Sequence, residues 1–308
     1  MAMKVSIQSR SGKELVKGGL EVSPEGTVED LKRAFHKAKP QFYPSRQRFT
    51  FPLKADEKKA TALADGKKLS DFDVKDGTVL IFKDLGPQIG YSTVFFWEYF
   101  GPLMVYALIY VLPDIVYPGY RHIPKKHPVQ TMALAYWSFH YAKRIFETFV
   151  VHRFSHGTMP LTNLFKNCGY YWGFAAFVSY FVNHPLYTAP STKAAYVLFS
   201  VAMLCQFANL TTHIIQRNLR PPGGKGYAIP RGFGFDYITC ANYTFEIYGW
   251  ILFAAATWTL PALLFITAGA AQMAIWAKAK HARLRKIFDG KDGRPKYPKR
   301  WIMLPPIF

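Results

Sequence analysis

Asn209, His213, Arg217 and Arg220 recur at i, i+4, i+8 and i+11, which puts an amide, an imidazole and two guanidiniums on one helical face. The stripe starts inside an apolar run and ends in the basic, Pro/Gly-rich loop that holds Arg220, Pro221, Pro222, Gly223, Gly224 and Lys225. Taken alone, the two arginines would read as cytosolic anchors. Continued inward by Asn209 and His213, they describe a polar wall for a long ligand with a phosphate-bearing end, since guanidinium binds phosphate by charge-assisted hydrogen bonds. Beyond the loop, Asn242, Tyr243 and Glu246 open the next apolar run, with Glu246 one turn from Asn242 and addressing the same cavity. A phenol with an ordinary pKa of about 10 is protonated at neutral pH and can donate as negative charge develops, so Tyr243 is the first candidate for a general acid; its competing role is an interfacial aromatic.

Upstream, Glu98 stands in the apolar stretch STVFFWEYFGP, and Tyr141, Arg144 and Glu147 recur every three residues in SFHYAKRIFETFVVHRFSH. Such groups are expensive in lipid, so they are expected to be paired or used; a helix-to-helix glue contact is the plain alternative for Glu98. Lys280 and His281 in the basic extension WAKAKHARLRKIF, and Arg300 near the end of the chain, complete the candidate ligand contacts.

The elements that must position these residues are apolar segments at 91–113, 129–151, 168–184, 193–215, 238–257 and 258–278, most of them near the roughly 20 residues needed to cross a hydrocarbon core. Six crossings, with a break near Thr257, Trp258 and Pro261, return the C-terminus to the side of the N-terminus. The charge pattern supports a cytosolic placement of both ends. Of a net charge of +20, residues 85–308 carry +15, and ten basic residues against two acidic ones follow Trp276. Arg121, Lys125 and Lys126 in the loop expected on the lumenal side run against that rule. The first 20 residues contain no apolar signal core, and the positive charge sits on the hydrophobic part, so nucleic acid is not an expected partner while anionic headgroups and a charged ligand are.

Residues 1–84 read differently. Alternation over 3–9 and 14–22 predicts a hairpin; Thr27, with Asp30 at the capping-box position, predicts a helix with a Leu31, Phe35, Ala38 stripe; strands follow over 48–53 and 78–83. The order ββαββ resembles a ubiquitin-like β-grasp fold without a di-glycine tail, an interaction or positioning module. The expected division is therefore a soluble domain over 1–84 and a membrane-embedded domain over 85–308. Cys168, Cys205 and Cys240 show no CxxC spacing and are expected as buried free thiols. His152 and His156 have the spacing of a histidine box, but a di-iron site draws roughly eight imidazoles from several boxes, and of the nine histidines one lies within residues 1–84 and none forms an HH doublet, so no metal is expected. A GxGxxG after a strand is also missing, so a Rossmann domain is not expected as a cofactor site.

The set NxxxHxxxRxxR, GYxIPxG and ANYxxE resembles the C-terminal domain of the steroid 5-alpha-reductase family, and NYTFE with HRFSHGTMP resembles its trans-2-enoyl-CoA reductase branch. That resemblance implies a multi-pass α-helical membrane enzyme of about six spans, NADPH as cofactor on the Asn209–Arg220 stripe and Arg300, and Glu98 and Tyr141 at the reducible end of the substrate. The family commonly has Asp where this chain has His213. It further implies a long or very-long-chain trans-2-enoyl-CoA substrate, an endoplasmic reticulum location and partnership with other enzymes of fatty acid elongation. A 3-oxo-steroid or polyprenol reductase would share the architecture but lack the β-grasp domain, and a non-catalytic adaptor would leave Glu98, Tyr141, Asn209 and Asn242 unexplained.

Overall fold

In β1 (Met3–Gln8) the residues Met3, Val5 and Ile7 point to one side and are buried, while Lys4 is exposed, the period of two that a half-buried strand requires. The computed structural model describes residues 2–53, 60–122, 126–154, 157–219 and 227–308. β1 pairs antiparallel with β2 (Leu20–Val22) and parallel with β4 (Val79–Asp84), which in turn pairs antiparallel with β3 (Gln47–Thr50), giving the order β2-β1-β4-β3. Helix α1 (Val28–Ala38) crosses this sheet. Its start is fixed as expected: Asp30 donates its backbone N–H to the Thr27 hydroxyl, and the Asp30 carboxylate accepts from the Thr27 backbone. Phe35 meets Phe49 at 5.5 Å and Phe82 at 4.8 Å between ring centres, and each fully buried aromatic or aliphatic side chain of this core contributes about 1.5–3 kcal/mol.

Two expectations need correction. The buried stripe of α1 is Val28, Leu31, Lys32 and Phe35, while Ala38, the last residue of the helix, is exposed. Lys32 is tolerated there because its ammonium reaches Asp65 at 2.6 Å. The second hairpin arm is strand only over Leu20–Val22, with a single bridge from Gln8 to Glu14 before it.

The chain divides into two compact units, Met1–Gly90 with Thr158–Asn163, and Tyr91–Gly157 with Leu164–Phe308. The first unit is closed by a two-stranded ribbon of β5 (Gln88–Gly90) and β6 (Thr158–Pro160), so it extends past residue 84 and takes in a piece of chain from far downstream. Tyr43 holds this ribbon's start, its hydroxyl accepting from the Gln88 backbone N–H at 2.8 Å.

The second unit is helical: α2 (Tyr91–Val111), the short α3 (Pro113–Val116), α4 (Pro128–Phe146) with a π-helical turn over Glu147–Val151, α5 (Thr162–Val182), α6 (Thr192–Asn218), α7 (Ala241–Thr257) and α8 (Leu260–Ile287). Each expected apolar segment forms a helix. Three of them, α2, α6 and α8, are long and apolar enough to cross a membrane. The break between the last two falls where expected, with Trp258 in the left-handed region and Pro261 in the first turn of α8. Gly101 of α2 leaves room for the Trp172 indole, which a Cβ there would overlap and which donates to the Trp97 carbonyl, while the Trp137 indole donates to the Pro102 carbonyl. The core between the helices is aromatic, centred on Tyr136, Trp137, Tyr141, Trp250 and Phe253. The three cysteines are free, but only Cys240 is buried; Cys168 and Cys205 are half-buried.

Candidate active site

Asn209 is the residue on which three helices converge. It is 1% exposed; its Nδ2 donates to the Asn242 carbonyl at 2.9 Å and to the Glu246 carboxylate at 3.4 Å, and its Oδ1 accepts from the Lys143 ammonium at 2.5 Å. One amide thus ties α6 to α7 and to α4. Two turns along α6, Gln216 donates to the Asn242 side-chain oxygen at 2.8 Å.

Beside this junction lies a buried ionic cluster. Glu147, with no solvent exposure, accepts from Arg144 at 2.8 Å on one carboxylate oxygen, and meets Lys143 at 3.2 Å and His213 at 3.0 Å on the other. The remaining Arg144 donors reach the Tyr99 hydroxyl at 2.8 Å and the His152 imidazole at 3.3 Å. Ligand atoms of Glu147, His152 and His213 lie within 4.8 Å of one another, the spacing of a metal site. Both oxygens of Glu147 are already engaged by cations, so a divalent ion would have to displace Lys143 and Arg144 and bear their repulsion; the trio is a counter-ion arrangement.

A second cluster continues from Tyr99. Glu98 is 3% exposed and accepts from Asn167 of α5 at 3.0 Å. The Tyr141 ring lies 6.3 Å from Tyr99 and 6.4 Å from Tyr171, and the buried hydroxyls of Tyr141 and Tyr170 find no hydrogen-bond partner among the described residues. His140, next to Tyr141, is fixed from behind by Gln206 at 3.0 Å, which donates to Tyr136 at 2.6 Å.

The C-terminal segment supplies the third part. Trp301 and Ile302 run beside the approach to α7, their carbonyls accepting from the Thr239 and Cys240 backbones, and the Thr244 hydroxyl donates to the Met303 carbonyl. This brings Arg300 to the loop before α7, where its Nη1 donates to the Pro230 carbonyl at 2.9 Å. Its Nε and Nη2 are buried without an acceptor among the described residues, the nearest charge being Asp236 at 4.0 Å. Thr239 also clasps His281 at 2.7 Å, so that imidazole packs against the same loop.

The expected residues therefore fall into one connected region, with Arg144, Asn209, His213, Asn242 and Glu246 in the junction, Glu98 and Tyr141 in the Tyr99 cluster, and His281 and Arg300 at the approach to α7. Tyr243 is half-buried, its hydroxyl without a hydrogen bond to any described residue. Arg217 and Lys280 are half-buried and enter none of these networks through their side chains. Arg220, the loop from Pro221 to Lys225, and His156 lie outside the described residues. Lys143, Asn167, Gln206 and Gln216 were not singled out from the sequence. Lys143 could have been, as a lysine four residues before a glutamate inside an apolar helix.

A helical unit with a polar junction between its helices, three of which are among the described residues long and apolar enough to cross a membrane, follows a β-grasp unit in the chain. Residues 157–308 match the family model for 3-oxo-5-alpha-steroid 4-dehydrogenase, and residues 3–84 match that for the TECR ubiquitin-like domain. The chain is 45% identical over 287 residues to a probable very-long-chain enoyl-CoA reductase of Caenorhabditis elegans, covering 90% of each chain. It is 45% identical over 302 residues to a very-long-chain enoyl-CoA reductase of Dictyostelium discoideum, covering 97% of each. To a trans-2,3-enoyl-CoA reductase-like protein of Homo sapiens it is 35% identical over 280 residues, 87% of this chain and 75% of that one. The chain belongs to the very-long-chain enoyl-CoA reductase family, oxidoreductases acting on a carbon–carbon double bond.

Proposed function

We propose that the protein uses NADPH to reduce the 2,3-double bond of a long or very-long-chain trans-2-enoyl-CoA, the last step of fatty acid elongation, as a multi-pass enzyme of the endoplasmic reticulum with both termini cytosolic. The observation that carries the reading is the set of unsatisfied donors around a polar junction. Nε and Nη2 of the buried Arg300 and the Tyr141 hydroxyl have no hydrogen-bond acceptor among the described residues, and an anion and a carbonyl oxygen would supply one to each. A dinucleotide phosphate and a thioester supply those two groups, so the residues present fit NADPH and its substrate.

Arg144, Asn209, His213, Arg217, Arg220, Asn242, Glu246, Lys280, His281 and Arg300 would hold the cofactor, the guanidiniums toward phosphate. When bound, the dihydronicotinamide supplies the hydride that Cβ of the substrate takes up. Tyr141 donates a hydrogen bond to the thioester oxygen as it gains enolate charge, with Glu98, held by Asn167, orienting that end. Tyr243 gives its phenolic proton to Cα. The aromatic core excludes water from the acyl chain, and the cytosolic cations meet the CoA phosphates. Membrane lipid and other enzymes of the elongation cycle complete the expected partners.

The test is Tyr243→Phe, which keeps the ring and removes the proton. Turnover of an enoyl-CoA should fall by about 10²- to 10⁴-fold with NADPH binding retained. Activity within a few-fold of the parent would transfer the role of acid to Tyr141.

A further inference from the structure

We infer that Glu147 is the positioning residue of the cofactor site, a buried counter-ion that sets the geometry of Arg144 and His213 and, through Lys143, of Asn209. The inference rests on the NADPH reading above and goes beyond it, because Glu147 itself is given no contact with the ligand. Its carboxylate has no solvent exposure and touches three nitrogen groups: Arg144 at 2.8 Å, His213 at 3.0 Å and Lys143 at 3.2 Å. Each of these leads outward. Arg144 continues to Tyr99 at 2.8 Å, and Lys143 continues to Asn209 at 2.5 Å and so to Asn242 and Glu246. Two adjacent cations, Lys143 and Arg144, both turned into the helical interior, could not be held there without a negative charge between them, and each meets Glu147.

The local backbone fits this task. The helix widens into a π-helical turn at Glu147, a feature that recurs at functional sites, and the turn is held by the Thr148 hydroxyl donating to the Arg144 carbonyl and the His152 N–H donating to the Glu147 carbonyl. Glu147 is thereby kept on the face shared with α6, where His213 lies. Its carboxylate also restrains the imidazole: with Nδ1 donating to Glu147 at 3.0 Å, Nε2 of His213 is left as an acceptor.

The experiment compares the full-length parent with Glu147→Gln, Lys143→Met and the double variant, reading NADPH dissociation constant, KM for each substrate and thermal stability. Glu147→Gln should raise the NADPH dissociation constant by about ten-fold or more while the enoyl-CoA KM changes little, as displaced binding groups cost on that scale. Should that variant fail to fold, Lys143→Met with Glu147→Gln keeps the charge balance, and its NADPH affinity should be about ten-fold or more below that of Lys143→Met alone. A lowered melting temperature with unchanged NADPH affinity in the folded variants would overturn the inference, leaving Glu147 a structural ion-pair partner. If the parent itself bound no NADPH, the cofactor reading would fall and this inference with it.

Discussion

Tyr141 combines complete burial with a hydroxyl that has no partner among the described residues, and this separates its chemistry from its packing. An unpaired buried hydroxyl costs about 1–3 kcal/mol, so Tyr141→Phe should leave the folded protein at least as stable as the parent. Turnover should nevertheless fall at least about ten-fold, because the thioester oxygen loses its donor; unchanged turnover at unchanged melting temperature would remove Tyr141 from the mechanism. Arg300 makes the complementary case. Arg300→Ala should raise the KM for NADPH while changing that for the acyl-CoA little, and equal effects on both would assign the residue to the fold. The sequence made Arg144, Asn209, His213, Asn242 and Glu246 legible because polar groups in apolar helices are conspicuous and their spacing orders them on faces. It could not reveal Gln216 in the same way: whether Gln216 or the neighbouring Arg217 turns toward Asn242 depends on where α6 crosses α7, a tertiary fact without a local signature.

At the scale of elements, close packing fixes which helices can share a site. A Cβ on Gly249 of α7 would lie 2.6 Å from the Tyr136 hydroxyl and 3.5 Å from Cys205. Gly249→Ala should therefore push α7 off α4 and α6 and break the Gln206–Tyr136 hydrogen bond, costing about 1–3 kcal/mol as an overpacked core position does. A melting temperature equal to the parent's would show that these helices have slack. In the first unit, Arg46 grips Asp84 through two nitrogens, at 3.0 and 2.5 Å, and joins the start of β3 to the end of β4. The hydrogen bonds from Arg46 hold the Asp84 carboxyl below its usual value. A carboxyl depressed on folding stabilises above its unfolded pKa of about 4 and loses that contribution as pH falls through the folded value. Asp84→Asn should thus weaken amide-exchange protection of Gln47–Thr50 and Val79–Asp84 at pH 7, by no more than about 1 kcal/mol for a partly exposed pair, with the difference fading as pH falls through the folded carboxyl's depressed pKa. A difference that persists in acid would mean that the carboxylate charge is not its source.

The whole molecule poses the question of what the β-grasp domain is for, and the ribbon of β5 and β6 makes it testable. The ubiquitin-like match ends at Asp84, where the last sheet strand stops, and the first compact unit continues to Gly90 and gathers Thr158–Asn163. Ribbon pairing of three-residue strands leaves no hydrophobic alternation to read, which is why the extension was not visible beforehand. Two truncations should then behave differently. Removing residues 1–84 takes away the Tyr43 hydroxyl that holds Gln88 but leaves β5 paired with β6, and every group assigned to NADPH lies beyond it. That protein should insert, bind NADPH with parental affinity and lose at most a few-fold in turnover. Removing residues 1–90 also deletes β5, so β6 loses the backbone partners of Thr158 and Met159 just before α5 begins at Thr162. Five residues into α5 stands Asn167, the donor to Glu98, and a frayed start to that helix should loosen it. The longer truncation should therefore lose at least about ten-fold more turnover than the shorter one, with NADPH affinity still close to parental. Equal activity of the two would confine the ribbon to a spacer, and loss of nucleotide binding in a folded Δ1–84 protein would mean that the soluble domain itself completes the cofactor site.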